Sequence, residues 1–98
     1  MTVWFVSRHP GAQEWAKRQG LKVDRIAAHL DPSHVQPGDT VIGSLPVNLA
    51  AQVTRCGARY LNLSVQLPAQ LRGQELSADQ LEALGAKLEE YCVTTMKD

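Results

Sequence analysis

Charge of one sign is what this chain most plainly lacks. Its 10 basic and 10 acidic residues give a formal net charge of zero, which argues against a sequence-independent grip on long DNA or RNA, since that depends on clustered Lys and Arg. A small anion held in one local pocket stays compatible with this balance. No apolar run approaches the length that spans a bilayer, and the N-terminus lacks the basic and apolar regions of a signal peptide. A cytoplasmic location with no membrane partner is therefore expected. Cysteine is scarce as well. Cys56 and Cys92 show no Cys-x-x-Cys spacing and read as buried small apolar residues, one in each of two helices, in a reducing compartment. His9, His29 and His34 match no zinc spacing, and Asp24, Asp31 and Asp39 read as turn and cap residues. No metal and no other cofactor is expected. The 98 residues suffice for one domain with a modest core, to which a partner chain would add burial.

What is present concentrates near the start. Val3, Trp4, Phe5 and Val6 are a continuous apolar run of β-branched and aromatic residues, the pattern of a strand covered on both faces in a parallel sheet. Pro10 fits the first helical position, where a missing N–H costs nothing, and this makes His9 the N-cap of a helix running to about Gln19. The N–H groups of Gly11, Ala12 and Gln13 are then expected to lack carbonyl partners at the positive end of the helix dipole, with Gly11 admitting an anion close to the backbone. Arg8 adds a charged fork suited to phosphate oxygens, while Ser7 and His9 add a hydroxyl and a group that carries protons near neutral pH. Proline at a helix start and a single His there are also common in helices that bind nothing. The combination of Ser, Arg and His at the carboxyl end of one strand is what favours a site, because open α/β sheets place their ligands there.

The rest of the chain repeats this theme. Gly20 reads as the end of the first helix, residues 23–30 as a second strand of undetermined direction, and residues 32–36 as a single helical turn behind Asp31-Pro32. Thr40–Gly43 reads as a third strand that meets Ser44 and Pro46 and then a helix through about Cys56, so a second helix N-terminus is expected on the same sheet edge. Gly43 suits either a tight turn or the close approach of a ligand. Asn48 is either a ligand contact or a solvated polar residue of the first turn. Leu49, Ala50, Val53 and Cys56 mark the buried face of that helix. Residues 59–67 alternate Tyr60, Asn62, Ser64 and Gln66 with Leu61, Leu63, Val65 and Leu67, which predicts an edge strand with one polar face. Residues 68–75 read as a loop whose Arg72 is a solvated charge or a cation able to close over a phosphate. Ser77 with Gln80 forms a capping box, and Leu81, Leu84, Leu88 and Tyr91 follow at helical spacing, predicting a final helix before a fraying tail after Val93. The fold class is α/β: a mainly parallel sheet of about four strands in the order β-α-β-β-α-β-α.

Three blocks carry a family likeness: Trp-Phe-Val-Ser-Arg-His-Pro-Gly-Ala at 4–12, Gly-Asp-Thr-Val-Ile-Gly-Ser-Leu-Pro-Val-Asn-Leu-Ala-Ala at 38–51, and Leu-Arg-Gly-Gln-Glu-Leu-Ser at 71–77. Together they resemble a small CRISPR-associated family found beside type III systems. The resemblance covers nearly the whole chain. It implies a three-layer, Rossmann-like domain over residues 1–98, similar to the sensor domains that bind cyclic oligoadenylate second messengers. It also implies a ring nuclease that degrades cyclic tetra-adenylate without a metal, by in-line attack of a ribose 2′-hydroxyl, and so ends antiviral signalling. A homodimer is expected, since a two-fold axis would present Ser7, Arg8 and His9 twice around one ring.

On that reading Arg8 and the amides of Gly11 and Ala12 neutralise charge, His9 moves a proton or orients the 2′-hydroxyl, and Ser7 positions a phosphate. Gly43, Ser44 and Asn48 hold the ring, and Arg72 closes over it. A protein that binds or sequesters the ring without cutting it uses the same residues. An Arg-His pair after a strand also resembles the histidine phosphatases, although Pro10 stands where their motif carries Gly and His29 and His34 are poor candidates for the second histidine. An interaction module using the polar face of residues 59–67 is the remaining alternative.

Overall fold

Trp4 and Phe5 are neighbours in the chain and point to opposite sides of the sheet, and each side is covered by helices. The structure, a computed structural model, describes residues 1–96. Its elements are β1 (Val3–Val6), α1 (Pro10–Arg18), β2 (Arg25–Ala27), a 3₁₀ turn (Pro32–His34), β3 (Thr40–Gly43), α2 (Val47–Arg55), β4 (Arg59–Ser64), a second 3₁₀ turn (Ala69–Leu71), α3 (Ala78–Ala83) and β5 (Lys87–Tyr91). The sheet order is β2-β1-β3-β4-β5, with the first four strands parallel and β5 antiparallel to β4. On one face Phe5 and Ile42 pack with Ala12, Trp15 and Ala16 of α1 and with Ala78 and Leu81 of α3. On the other, Trp4, Val41 and Tyr60 pack with Ala50 and Val53 of α2 and with Leu30 and Val35. This is a three-layer α/β domain, and no helix among its described residues is long and apolar enough to cross a membrane.

The first half follows its local signals. His9 is the N-cap of α1 with Pro10 behind it, and Gly20 takes a φ of +73° directly after the helix, a conformation that suits glycine. Asp31 caps the first 3₁₀ turn by accepting from Ser33 N–H at 3.0 Å. The second strand is shorter than expected, three residues, and its direction is now fixed: it runs parallel to β1 at the sheet edge.

The second half departs from expectation at Gly85. The capping box at Ser77 and Gln80 is present, but α3 ends at Ala83 and Gly85 adopts a φ of +75°. The chain then turns back as β5 and pairs Leu88 with Leu63 of β4. Leu88 packs partly buried in the same cluster as Leu81, while Tyr91 is exposed. The spacing of 81, 84, 88 and 91 is therefore the overlap of one helical turn and a strand. It follows that β4 is an interior strand, not an edge, and that Cys92 lies beyond β5 and exposed, not in a helix. Cys56 caps α2 and packs partly buried against the core. Ion pairs tie neighbours within a layer: Arg18 of α1 reaches Asp79 of α3 at 2.5 Å, and Arg59 forms a two-pronged contact with Glu90 across β4 and β5.

Candidate functional site

The chain leaves β1 toward β2 on one side and returns to β3 on the other, so a crevice opens between the loops after β1 and β3. That crevice is a cleft of about 440 Å³, bordered by residues 7–9 after β1, residues 28–30 after β2 and residues 43–46 at the end of β3. Its floor is apolar, with Phe5, Leu49, Leu63, Val65 and Leu81 among the lining side chains. The polar groups stand along the rim.

At the rim, Arg8 is exposed, and among the described residues its guanidinium has no hydrogen-bond or ion-pair partner. Ser7 continues the β1–β2 ladder through its N–H to Ala27 O at 2.9 Å. Its hydroxyl accepts from His9 N–H at 3.1 Å, and its carbonyl accepts from the Gln13 side chain at 3.0 Å. These bonds fix the backbone on both sides of Arg8. His9 lies across from Glu75, its Nδ1 at 2.8 Å from a carboxylate oxygen.

The expected row of open amides is smaller than the sequence suggests. Ala12 and Gln13 N–H both turn back to the His9 carbonyl, at 3.1 and 3.2 Å, as the first turn tightens. Gly11 N–H makes no bond among the described residues, and it is the one open donor of the three. Gly11 is a glycine for another reason than ligand approach. A Cβ there would stand 1.8 Å from the Leu76 carbonyl oxygen, so the missing side chain is what admits the strand of chain leading into α3. Gly43 likewise is no turn: it closes β3 beside β1, where a Cβ would come within 2.6 Å of the Val6 carbonyl oxygen.

Ser7, Arg8, His9, Ala12, Gly43 and Ser44 thus share one cleft, while Gly11, Asn48 and Arg72 lie outside its lining. Asn48 is exposed on the first turn of α2, and Arg72 is exposed at the end of the second 3₁₀ turn. The Ser44 hydroxyl donates to Leu63 O at 3.0 Å. Behind it, the Tyr60 hydroxyl accepts from Leu45 N–H at 2.9 Å and sits 2.6 Å from Asn62 Oδ1, bracing the loop between β3 and α2. Burial pushes the Tyr60 phenol above its ordinary pKa. The polar face expected on β4 is therefore partly spent inside the fold. His29, a poor candidate for a second catalytic histidine by sequence, follows β2 and lines the cleft at the same sheet edge as His9. Sequence reading missed Gln74, which also lines the cleft, and Glu75, which stands outside the lining and reaches His9; both arrive from a distant loop, and no local pattern marks them.

Among the described residues, no group of three or more His, Cys, Asp or Glu side chains is placed to hold a metal ion. The model of one protein family, Cas_VVA1548, described as "Putative CRISPR-associated protein", matches residues 4–94. The chain belongs to this family. No curated protein and no solved structure matches it. The match spans nearly the whole chain, the cleft residues included.

Proposed function

We propose that this CRISPR-associated protein is a ring nuclease of type III systems, binding cyclic oligoadenylate, with cyclic tetra-adenylate as the ring, and opening it without a metal. The observation that carries the reading is the unpartnered Arg8 beside His9 on the rim of an apolar-floored cleft. An adenine suits the floor, and a phosphate suits Arg8 together with the Gly11 N–H. In the reaction His9 Nε2 accepts the ribose 2′-hydroxyl proton, and the 2′-oxygen forms a bond to the adjacent phosphorus. The bond to the 5′-oxygen breaks, that oxygen takes a proton from solvent, and a 2′,3′-cyclic phosphate remains on a linear product. Arg8 stabilises the charge that builds on the phosphate oxygens. A cleft of about 440 Å³ lies low in the range of small-molecule sites, about 300–1,000 Å³, and holds part of such a ring. A two-fold homodimer supplies a second cleft for the remainder.

Incubation with cyclic tetra-adenylate in EDTA, followed by chromatography, tests the proposal. Linear products are expected from the wild type, with His9→Ala slowing cleavage about a hundredfold while changing binding little. An intact ring at saturating protein would leave a binding or sequestering role and remove the nuclease. His29 in the same cleft as Arg8 and His9 supports a second reading, a histidine-phosphatase-like phosphohydrolase. A phosphohistidine trapped at His9 would establish that one instead.

A further inference from the structure

From this geometry we infer that Glu75 is a positioning residue for His9, an inference that rests on His9 as the proton acceptor of the proposed reaction. The two residues are 66 positions apart in sequence, and the contact is 2.8 Å from His9 Nδ1 to Glu75 Oε1. A chain of packing places Glu75 there. Gly11 lacks a side chain, the Leu76 carbonyl occupies the space, and Ser77 immediately begins α3 with its capping box. Glu75 is held one residue before that fixed point. Among the described residues neither side chain has another polar partner, and Glu75 engages the imidazole while Arg8 stays free for a phosphate.

The direction of the bond sets the chemistry. An ionised carboxylate only accepts, so the proton in this contact is on Nδ1, and the neutral ring keeps its lone pair on Nε2. That is the atom the proposed mechanism needs as a base. The pair is also well exposed, with side-chain accessibilities of 48% for His9 and 68% for Glu75. A contact so open to water adds little to stability, and its removal leaves the fold standing. Glu75 carries a second consequence: its negative charge borders an anion site and opposes phosphate binding. Orientation helps the chemical step, and charge hinders the binding step. Removing Glu75 is therefore expected to move the two in opposite senses, which loss of a merely structural contact would not do.

The test is Glu75→Ala and Glu75→Gln in the full chain, with cyclic tetra-adenylate as probe; Glu75 contacts His9, and Arg8 and His29 line the same cleft. For Glu75→Ala the single-turnover rate constant is expected to fall about tenfold or more, with the Kd of the ring tighter. Glu75→Gln, whose amide oxygen still accepts from Nδ1–H, is expected to recover part of the rate. Nitrogen-15 NMR of the ligand-free protein above neutral pH is expected to show the Nδ1–H tautomer of His9 in the wild type and mainly Nε2–H in Glu75→Ala. An unchanged rate, a parallel loss of binding, or the same tautomer in both proteins overturns the inference. If the wild type leaves the ring intact while the tautomer changes, the nuclease reading falls and the positioning of His9 by Glu75 stands.

Discussion

The two ends of the same parallel strands treat their charged side chains differently. At the end where β1 and β3 begin, the buried Asp39 carboxylate accepts from Thr2 N–H and Gln36 N–H, both at 2.9 Å, and from the Trp4 indole at 3.3 Å. Arg25 completes that end by lying over the Trp4 ring, 5.3 Å from its centre. At the end where β1 and β3 finish, Arg8 has no partner among the described residues, and His9 is held by a single exposed carboxylate. Every buried side-chain polar atom among the described residues is satisfied. The contrast teaches that this small sheet ties its charged side chain into the frame at one end, while at the other Ser7, Ser44 and Tyr60 brace the loops and leave Arg8 available.

Substitutions can break this contrast. The largest effect is expected from Arg8→Ala, which should weaken ring binding and turnover together and lower kcat/KM about a hundredfold, the scale of losing one charge-stabilising group. Thermal melting of that variant should match the wild type, since nothing in the fold leans on Arg8. Asp39→Ala should do the reverse. It strands two backbone donors and an indole N–H, so a loss of about 2–4 kcal/mol in urea unfolding is expected, with the Kd of the ring unchanged in the folded protein.

A pH series sharpens the point. The backbone donors of Gln36 and Thr2 hold the Asp39 pKa below its ordinary value. A depressed native pKa means stability that is present above the unfolded value, about 4, and is lost as pH falls through the native one. The stability gap between wild type and Asp39→Ala should therefore shrink below about pH 4. A gap that stays constant would contradict that assignment. The smallest effect is expected from Arg25→Ala, about 0.5–1 kcal/mol for an exposed cation resting over the face of an aromatic ring, measured by the same unfolding series and without change in cleavage.

How much of this was legible in the sequence depends on the distance over which each feature is decided. The strand at Val3–Val6, His9 as N-cap before Pro10, and the second unit ending in Ser44 and Pro46 are set by residues adjacent in the chain, and the structure contains all of them. The last element is decided at long range. Leu81 and Leu88 do share a hydrophobic cluster, as the stripe implied, but Leu88 reaches it across β4 and not along a helix. Gly85 was the one local sign of a break. The site shows the same division. The Ser-Arg-His cluster could be read locally, whereas the approach of Leu76 to Gly11 and of Glu75 to His9 depends on segments more than sixty residues apart. The open helix amides are fewer than the sequence predicts for a physical reason too: a tightened first turn returns two of them to the His9 carbonyl.

The most direct measurement is a crystal structure of the protein with cyclic tetra-adenylate, using His9→Ala to keep the ring whole. The account predicts an adenine over Leu49 and Leu63, a phosphate against Arg8 and the Gly11 N–H, and two chains around one ring. A nucleotide seated away from the ends of β1 and β3, with Arg8 touching none of its phosphates, would contradict it.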